Sequence, residues 1–74
     1  MPLTKSETDF LKRVGRNIKA LRERKGVSQT ELADLCGFER STTNRIESGG
    51  TNVTAKTLLK IAKALDVAVA ELVK

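Results

Sequence analysis

The chain has 74 residues and a formal net charge of +5, with 14 Lys and Arg residues against 9 Asp and Glu residues. We expect one domain with a modest core at residues 6–74, after a short N-terminal arm at residues 1–5. The basic charge indicates a polyanionic partner, either nucleic acid or an anionic membrane surface. Because the sequence has no His and a single Cys, it provides neither a zinc site nor a disulfide, and we expect no metal and no cofactor.

Two further features of the composition narrow the choice of partner. Phe10 and Phe38 are the only aromatic residues, whereas proteins that bind single-stranded nucleic acid stack bases on several aromatic side chains. A double-stranded nucleic acid is therefore the favoured partner. The sequence contains no apolar stretch that could span a bilayer, and its first ten residues lack the apolar segment of a signal peptide. We expect a cytoplasmic protein with no membrane partner.

The first predicted helix begins near Lys5 or Glu7 and ends near Lys25. Thr4 and Glu7 have the spacing of a capping box, in which each side chain bonds the other residue's backbone N–H, and Ser6 is a competing cap. Apolar residues recur at three- and four-residue steps, which predicts one buried face. That face consists of Phe10, Leu11, Val14, Ile18 and Leu21.

The second predicted helix begins after Ser28, which forms another capping box with Glu31. Gly37 is expected to end it, because the residue just past a helix often adopts a positive φ that glycine tolerates best. The apolar stripe of this helix consists of Leu32, Ala33, Leu35 and Cys36. We expect Cys36 to be a small core residue.

The third predicted helix, about Glu39 to Ser48, is polar throughout its first two turns. Ile46 is its only clearly apolar residue, so most of its surface has little reason to be buried. Its Arg, Asn, Ser and Thr side chains are the types that bond phosphate oxygens and base edges. Two helices joined by a tight glycine turn, the second of them polar, are typical of a helix-turn-helix that places its second helix in the major groove.

Two more helices complete an all-α fold of five. Thr54 can cap a helix from Ala55 to Leu65, and Asp66 then occupies a position where glycine is common. A last short helix is predicted at about Val69 to Val73. The DNA-contact candidates on the third helix and beyond it are Arg40, Ser41, Thr42, Asn44, Arg45, Thr51, Asn52 and Lys56. Arg40 is expected to read guanine, with a phosphate contact as the alternative, and turn formation is the alternative for the two loop residues.

Residues from about Gly15 to Leu72 resemble the Cro/repressor-type helix-turn-helix family, also called the XRE family. The matching residues are Ile18, Leu21, Arg22, Ser28, Gln29, Leu32, Ala33, Gly37, Arg40, Ser41, Thr42, Arg45, Ile46, Glu47, Gly49, Leu58, Ile61, Ala62, Ala64 and Leu65. The resemblance implies a compact, five-helix, lambda-repressor-like domain that regulates transcription. Residues 51–54 further resemble the controller proteins of restriction–modification systems.

The resemblance also implies roles for individual residues. Gln29 is expected to bond a phosphate and to brace the recognition helix, and Arg22 and Glu47 are expected to form a structural ion pair. Four residues depart from the family pattern, including Val53, where Pro is common, and Ala68, where a Ser cap is common. Thr43 stands where an apolar residue is usual. Glu39 stands where a Ser cap is usual and places an acid near the groove, where it could accept a bond from cytosine.

A homodimer on a palindromic operator is expected, because one recognition helix reads only a few base pairs. The candidate interface residues, which could alternatively close the monomer core, are Leu59, Val67, Val69, Leu72 and Val73. An antitoxin whose main task is to bind a partner protein is the alternative function. We expect no enzyme, because the chain has no His and its Ser, Thr and Glu residues lack the spacing of a catalytic triad.

Overall fold

A computed structural model describes residues 2–74, so that Met1 of the predicted arm lies outside the described residues. This part of the chain forms five helices and no strand. The helices are α1 (Lys5–Arg24), α2 (Gln29–Cys36), α3 (Arg40–Glu47), α4 (Ala55–Leu65) and α5 (Val69–Val73). The all-helical prediction is therefore confirmed, with helix bounds within about two residues of the expected ones. No helix among residues 2–74 has the length and apolarity to span a membrane.

Both predicted capping boxes are present. The Thr4 hydroxyl accepts from the Glu7 backbone N–H at 3.2 Å, and the Glu7 carboxylate accepts from the Thr4 N–H at 2.7 Å. The equivalent pair of bonds joins Ser28 and Glu31, both at 3.0 Å. Because Thr4 provides the cap in place of Ser6, α1 begins at Lys5, and the last residue of the predicted arm is helical.

The helix ends also follow the sequence. Gly37 ends α2 with a φ of 73°, and Asp66 ends α4 with a φ of 55°, the one positive φ at a residue other than glycine within residues 2–74. In both cases the next residue bonds back to the last turn, through Phe38 N–H to Ala33 O and Val67 N–H to Ala62 O. These bonds satisfy carbonyls that a helix end would otherwise leave unpaired.

The five helices share one core, in which Ile18, Leu32 and Ile61 are almost fully buried. Two predictions about the buried faces are wrong. Phe10 is 40% exposed and Leu35 is 63% exposed, because helical periodicity defines a face without showing how far the neighbouring helices extend over it. The Phe10 ring instead lies 5.3 Å from the Arg13 guanidinium. Cys36 is a buried core residue, and burial raises the pKa of its thiol.

Asn17 ties the C-terminal end of the fold to α1. Its half-buried side-chain amide donates to the backbone carbonyls of Leu72 at 3.0 Å and Lys74 at 3.1 Å. Leu72 lies in the last turn of α5 and Lys74 is its C-cap residue, and the carbonyls at a helix end have no partner within their own helix. The side chain therefore fixes a helix of only five residues that begins without a side-chain cap in the described chain.

Candidate nucleic-acid interface

The turn between α2 and α3 orients α3 relative to the core. Gly37 reverses the chain, and the half-buried Phe38 then packs against the hydrophobic cluster. α3 begins two residues later, at Arg40. The short connection holds the two helices in contact and leaves one side of α3 outside the core.

α3 is divided into a buried face and an exposed face. Thr43, Ile46 and Glu47 are buried, whereas the side chains on the opposite side are exposed. Gln29, from the start of α2, and four exposed residues of α3 line one shallow groove. Those four residues are Arg40, Ser41, Asn44 and Arg45. The structure therefore brings together five of the nine DNA-contact candidates.

A buried polar network holds the C-terminal end of α3. Arg22 donates to both carboxylate oxygens of Glu47, from Nε at 2.6 Å and Nη2 at 3.1 Å. Gln29 donates to the same carboxylate at 3.0 Å, and Arg22 also donates to the Val27 carbonyl at 2.7 Å. The bond to Glu47 raises the pKa of Arg22 above its ordinary value. This network joins α1, α2 and α3, and it places the predicted pair of Arg22 and Glu47 in direct contact.

Two glycines allow α1 to approach the end of α3 more closely than other residues would. A Cβ at Gly15 would lie 2.5 Å from the Ile46 carbonyl oxygen and nearer still to that of Glu47. A Cβ at Gly49 would lie 2.8 Å from the Cα of Lys12. Both distances are far below van der Waals contact. The close approach itself is not visible in the sequence, where Gly49 is a residue that matches the family and Gly15 is only a poor helix former inside a predicted helix.

The N-terminal end of α3 is held differently. Glu39 occupies the N-cap position, but within the described chain its side chain makes no capping hydrogen bond. Its one side-chain hydrogen bond among residues 2–74 is a long one, accepted from the Ser41 hydroxyl at 3.5 Å. One turn further on, the buried Thr43 hydroxyl has no hydrogen-bond partner among residues 2–74. Glu39 and Thr43 are two of the four positions where the sequence departs from the family pattern.

The other four DNA-contact candidates lie outside the groove. Thr42 is half-buried on α3, and Lys56 is exposed in the first turn of α4. Asn52 accepts from the Val53 N–H at 2.9 Å and borders a separate hollow beside Phe10. The Thr51 hydroxyl donates to the Asn52 carbonyl at 3.5 Å. The loop side chains thus make the turn contacts that were expected as the alternative to DNA binding.

Of the five candidate interface residues, Leu72 requires a correction. It is 0% exposed and lies inside the monomer core, because α5 folds back with this side chain pointing towards α1 and α4. It therefore has no surface to offer a second chain. Leu59 is 46% exposed. The remaining three residues are half-buried at the edge of the core, namely Val67, Val69 and Val73.

The pair α2 and α3, joined by a tight turn, with the polar α3 held by a buried network, defines a helix-turn-helix protein. Comparison with known proteins gives the same result. The HTH_3 family profile, described as helix-turn-helix, matches residues 18–72. The chain belongs to this family, and the relatives that it matches include HTH-type transcriptional regulators. It is a transcriptional regulator with a helix-turn-helix DNA-binding fold, and such proteins are not enzymes.

Three relatives illustrate the similarity. An uncharacterized HTH-type transcriptional regulator, y4dJ of Sinorhizobium fredii, is 40% identical over 65 residues, which are 88% of this chain and 84% of the relative. The restriction–modification controller protein C.AhdI of Aeromonas hydrophila superimposes with a TM-score of 0.81 at 42% identity, covering 84% of this chain and 94% of that one. SinR, a master regulator of biofilm formation solved in complex with DNA, has a TM-score of 0.76 at 37% identity, covering 82% and 98%.

Proposed function

We propose that the domain at residues 6–74 binds duplex DNA sequence-specifically, with α3 as the recognition helix in the major groove. The observation that carries this proposal is the groove formed by Gln29 and the exposed face of α3. All five of its lining side chains can bond bases or phosphates, and two of them are arginines. SinR, a relative of the same fold, was solved with DNA.

The positions along α3 support a division of roles among these residues. Arg40 and Ser41 lie in the first turn, the end that enters the groove in helix-turn-helix proteins, and we assign them to base edges. Asn44 and Arg45 lie one turn later, and Arg45 is assigned to the DNA backbone. Gln29 uses one amide hydrogen on Glu47, which leaves the other available to a phosphate oxygen.

Contacts outside the groove would extend the interface along the backbone. Lys56 lies in the first turn of α4, where the helix dipole also favours an anion. Thr42, Thr51 and Asn52 are proposed as further, weaker donors. Contacts of this kind position a protein on DNA without reading its sequence, so their loss should weaken binding to all duplexes alike.

The functional unit is proposed to be a homodimer on a palindromic operator. One α3 reads too few base pairs to be selective, and a two-fold dimer doubles the site. Leu59 is the large apolar side chain of α4 that the monomer leaves exposed, and we assign it to the centre of the interface. The half-buried Val67, Val69 and Val73 are assigned to the same interface, whereas Leu72 supports it from inside the core.

The similarity to C.AhdI supports a narrower proposal. At 42% identity over 84% of this chain, the resemblance extends well beyond the helix-turn-helix itself. We propose that the chain is a controller protein of a restriction–modification system. The prediction is that genes for a DNA methyltransferase and an endonuclease lie beside its own, whereas a neighbouring toxin gene would favour the antitoxin alternative.

Selection from a pool of duplexes with a randomised central segment tests the DNA-binding proposal. The expected result is a two-fold symmetric motif bound by two chains per duplex, as measured by sedimentation, with affinity falling steeply as salt rises. An Arg40→Ala variant should lose selectivity at one base pair of each half-site. Weak binding that is equal for all duplexes would contradict the proposal.

A further inference from the structure

Glu39 is an acidic residue at the leading end of the helix proposed to enter the DNA groove. The side chains at the N-cap positions of α1, α2 and α4 each accept a backbone N–H of their own helix. Glu39 has the extended backbone of an N-cap, with φ −79° and ψ 153°, yet its carboxylate makes no such bond in the described chain. Helix capping therefore does not account for this side chain.

Ion pairing does not account for it either. The salt bridges within residues 2–74 are Lys5–Asp9, Arg22–Glu47 and Glu71–Lys74. Glu39 is exposed, and the one side-chain hydrogen bond that its carboxylate accepts within residues 2–74 comes from the Ser41 hydroxyl. The favourable interaction that remains is with the helix dipole, which is small at an exposed site. The carboxylate thus keeps nearly all of its capacity to accept hydrogen bonds.

The Glu39 carboxylate lies next to side chains that line the groove. Arg40 follows it in the chain, and Ser41, which touches it, lines the groove together with Arg40. If α3 enters the major groove, the Glu39 carboxylate enters with these two side chains. There it is repelled by the phosphates and loses water, so an interface with no donor opposite Glu39 would be weakened.

We propose that Glu39 is a specificity-determining residue that accepts a hydrogen bond from an exocyclic amino group of a base in the major groove. In that groove only cytosine N4 and adenine N6 are donors, while guanine and thymine present oxygen acceptors. Glu39 therefore favours cytosine or adenine opposite it and rejects guanine and thymine, whose oxygens would face a carboxylate. This inference rests on the proposed function, and it adds a negatively charged base-contacting residue, Glu39, beside the positively charged Arg40.

The test compares Glu39→Gln with the unmodified protein in the same duplex selection. Gln removes the repulsion and can bond adenine through both N6 and N7. The expected result is that discrimination at one base pair of each half-site falls about tenfold or more, or shifts to adenine, while binding to a duplex of unrelated sequence becomes tighter. Glu23→Gln, an equal charge change at an exposed site on α1, should leave the selected motif unchanged.

A second arm separates cytosine from adenine. In the selected site, the base whose preference Glu39→Ser loses is replaced by its analogue without the amino group, 2-pyrimidinone for cytosine or purine for adenine. The unmodified protein should lose affinity on the analogue, and Glu39→Ser should lose much less. Glu39→Ser, which restores a good N-cap, should melt at a higher temperature and still lose the same base preference.

The outcomes distinguish this inference from the proposed function. If the unmodified protein selects no motif, the DNA-reading function itself fails. If it selects a motif that Glu39→Gln and Glu39→Ser both retain at every position, the DNA-reading function stands and the role of Glu39 is overturned.

Discussion

The two helices of the helix-turn-helix have equal length, eight residues each, but different sources of stability. α2 begins with a reciprocal capping box, ends at a left-handed glycine and buries Leu32 and Ala33. α3 begins without a side-chain cap in the described chain and carries an unpaired buried hydroxyl at Thr43. Local sequence therefore defines α2, whereas contacts with other helices define α3.

The contacts that hold α3 are concentrated at its C-terminal end. Glu47 is bonded by side chains from α1 and α2, and Gly15 lies against the backbone of the same turn. The N-terminal end, where Arg40 and Ser41 lie, is fixed mainly by the turn before it. The contacts that hold α3 thus lie on its buried face and at its C-terminal end, so the side chains of its exposed polar face remain free for a ligand.

Glu47→Ala should have the largest effect, because it leaves the Arg22 guanidinium buried beside an empty position. Breaking a buried ion pair costs about 3–5 kcal/mol, and the amides of α3 should exchange faster than those of α2. Thermal unfolding with hydrogen exchange measures both effects. Glu71→Ala, which breaks an exposed pair with Lys74, is the control and should cost less than about 1 kcal/mol. An unchanged melting temperature with altered base preference would refute a structural role for Glu47.

Gly15→Ala should have the next largest effect. Alanine is the better helix former by about 1 kcal/mol, but its methyl group would collide with the backbone carbonyls of Ile46 and Glu47. Overpacking of this kind typically costs about 1–3 kcal/mol, so we expect a net loss of stability and weaker binding to all DNA. Urea unfolding measures the loss. Gly50→Ala, whose methyl would meet only the Ser48 hydroxyl oxygen at 3.3 Å among close contacts, is the matched control. A stabilised Gly15→Ala protein would show that α1 and α3 are not in such close contact.

Thr43→Val should raise stability. Val has the same shape as Thr and removes a buried hydroxyl that lacks a partner among the described residues. Such a hydroxyl costs about 1–3 kcal/mol, and a gain of about 1 kcal/mol raises the melting temperature by about 4–8 °C in a domain of this size. Differential scanning calorimetry measures the shift. Thr30→Val, an exposed site on α2, should produce almost none. A lower melting temperature for Thr43→Val would mean that the hydroxyl is bonded.

The smallest expected effect concerns the cap of α2 in acid. The Ser28 N–H bond lowers the pKa of Glu31 below its ordinary value of 4.5. A lowered folded-state pKa means that this contribution to stability is present above pH 4.5 and is lost as the pH falls through the folded-state pKa. Glu31→Gln keeps the capping geometry without titrating. The difference in melting temperature between the two proteins should therefore diminish below about pH 4.5, and a constant difference from pH 7 to pH 3 would contradict the assignment.

The features predictable from sequence are those that depend on near neighbours. Three such features are confirmed: the capping boxes at Thr4 and Ser28, the left-handed conformation of Asp66, and the order of the five helices. Each depends on residues within about six positions of one another, so local chemistry is sufficient. The polar character of α3 is likewise evident from its residue types, and for that reason the DNA-contact candidates that line the groove could be predicted.

The features that sequence did not provide depend on distant neighbours. Gly15 is critical only because Ile46 and Glu47 lie against it, and Asn17 matters because α5 ends beside it. Periodicity placed Leu35 with the core, and the number of apolar residues near the C-terminus suggested Leu72 as an interface residue, but which helix covers which face follows from the packing. The same limit applies to the DNA contacts, because no pattern in the chain states which base meets which side chain.

The decisive measurement is the affinity of the unmodified protein, Arg40→Ala and Lys63→Ala for the selected site and for unrelated duplexes at one fixed salt concentration. The two variants lose equal charge, but Arg40 lines the groove and Lys63 is exposed on α4 beside Leu35. Arg40→Ala should lose about 1–3 kcal/mol of preference for the selected site over other duplexes, while Lys63→Ala should keep that preference. Equal loss of preference in both variants, or none in either, would contradict the claim that the exposed face of α3 reads DNA.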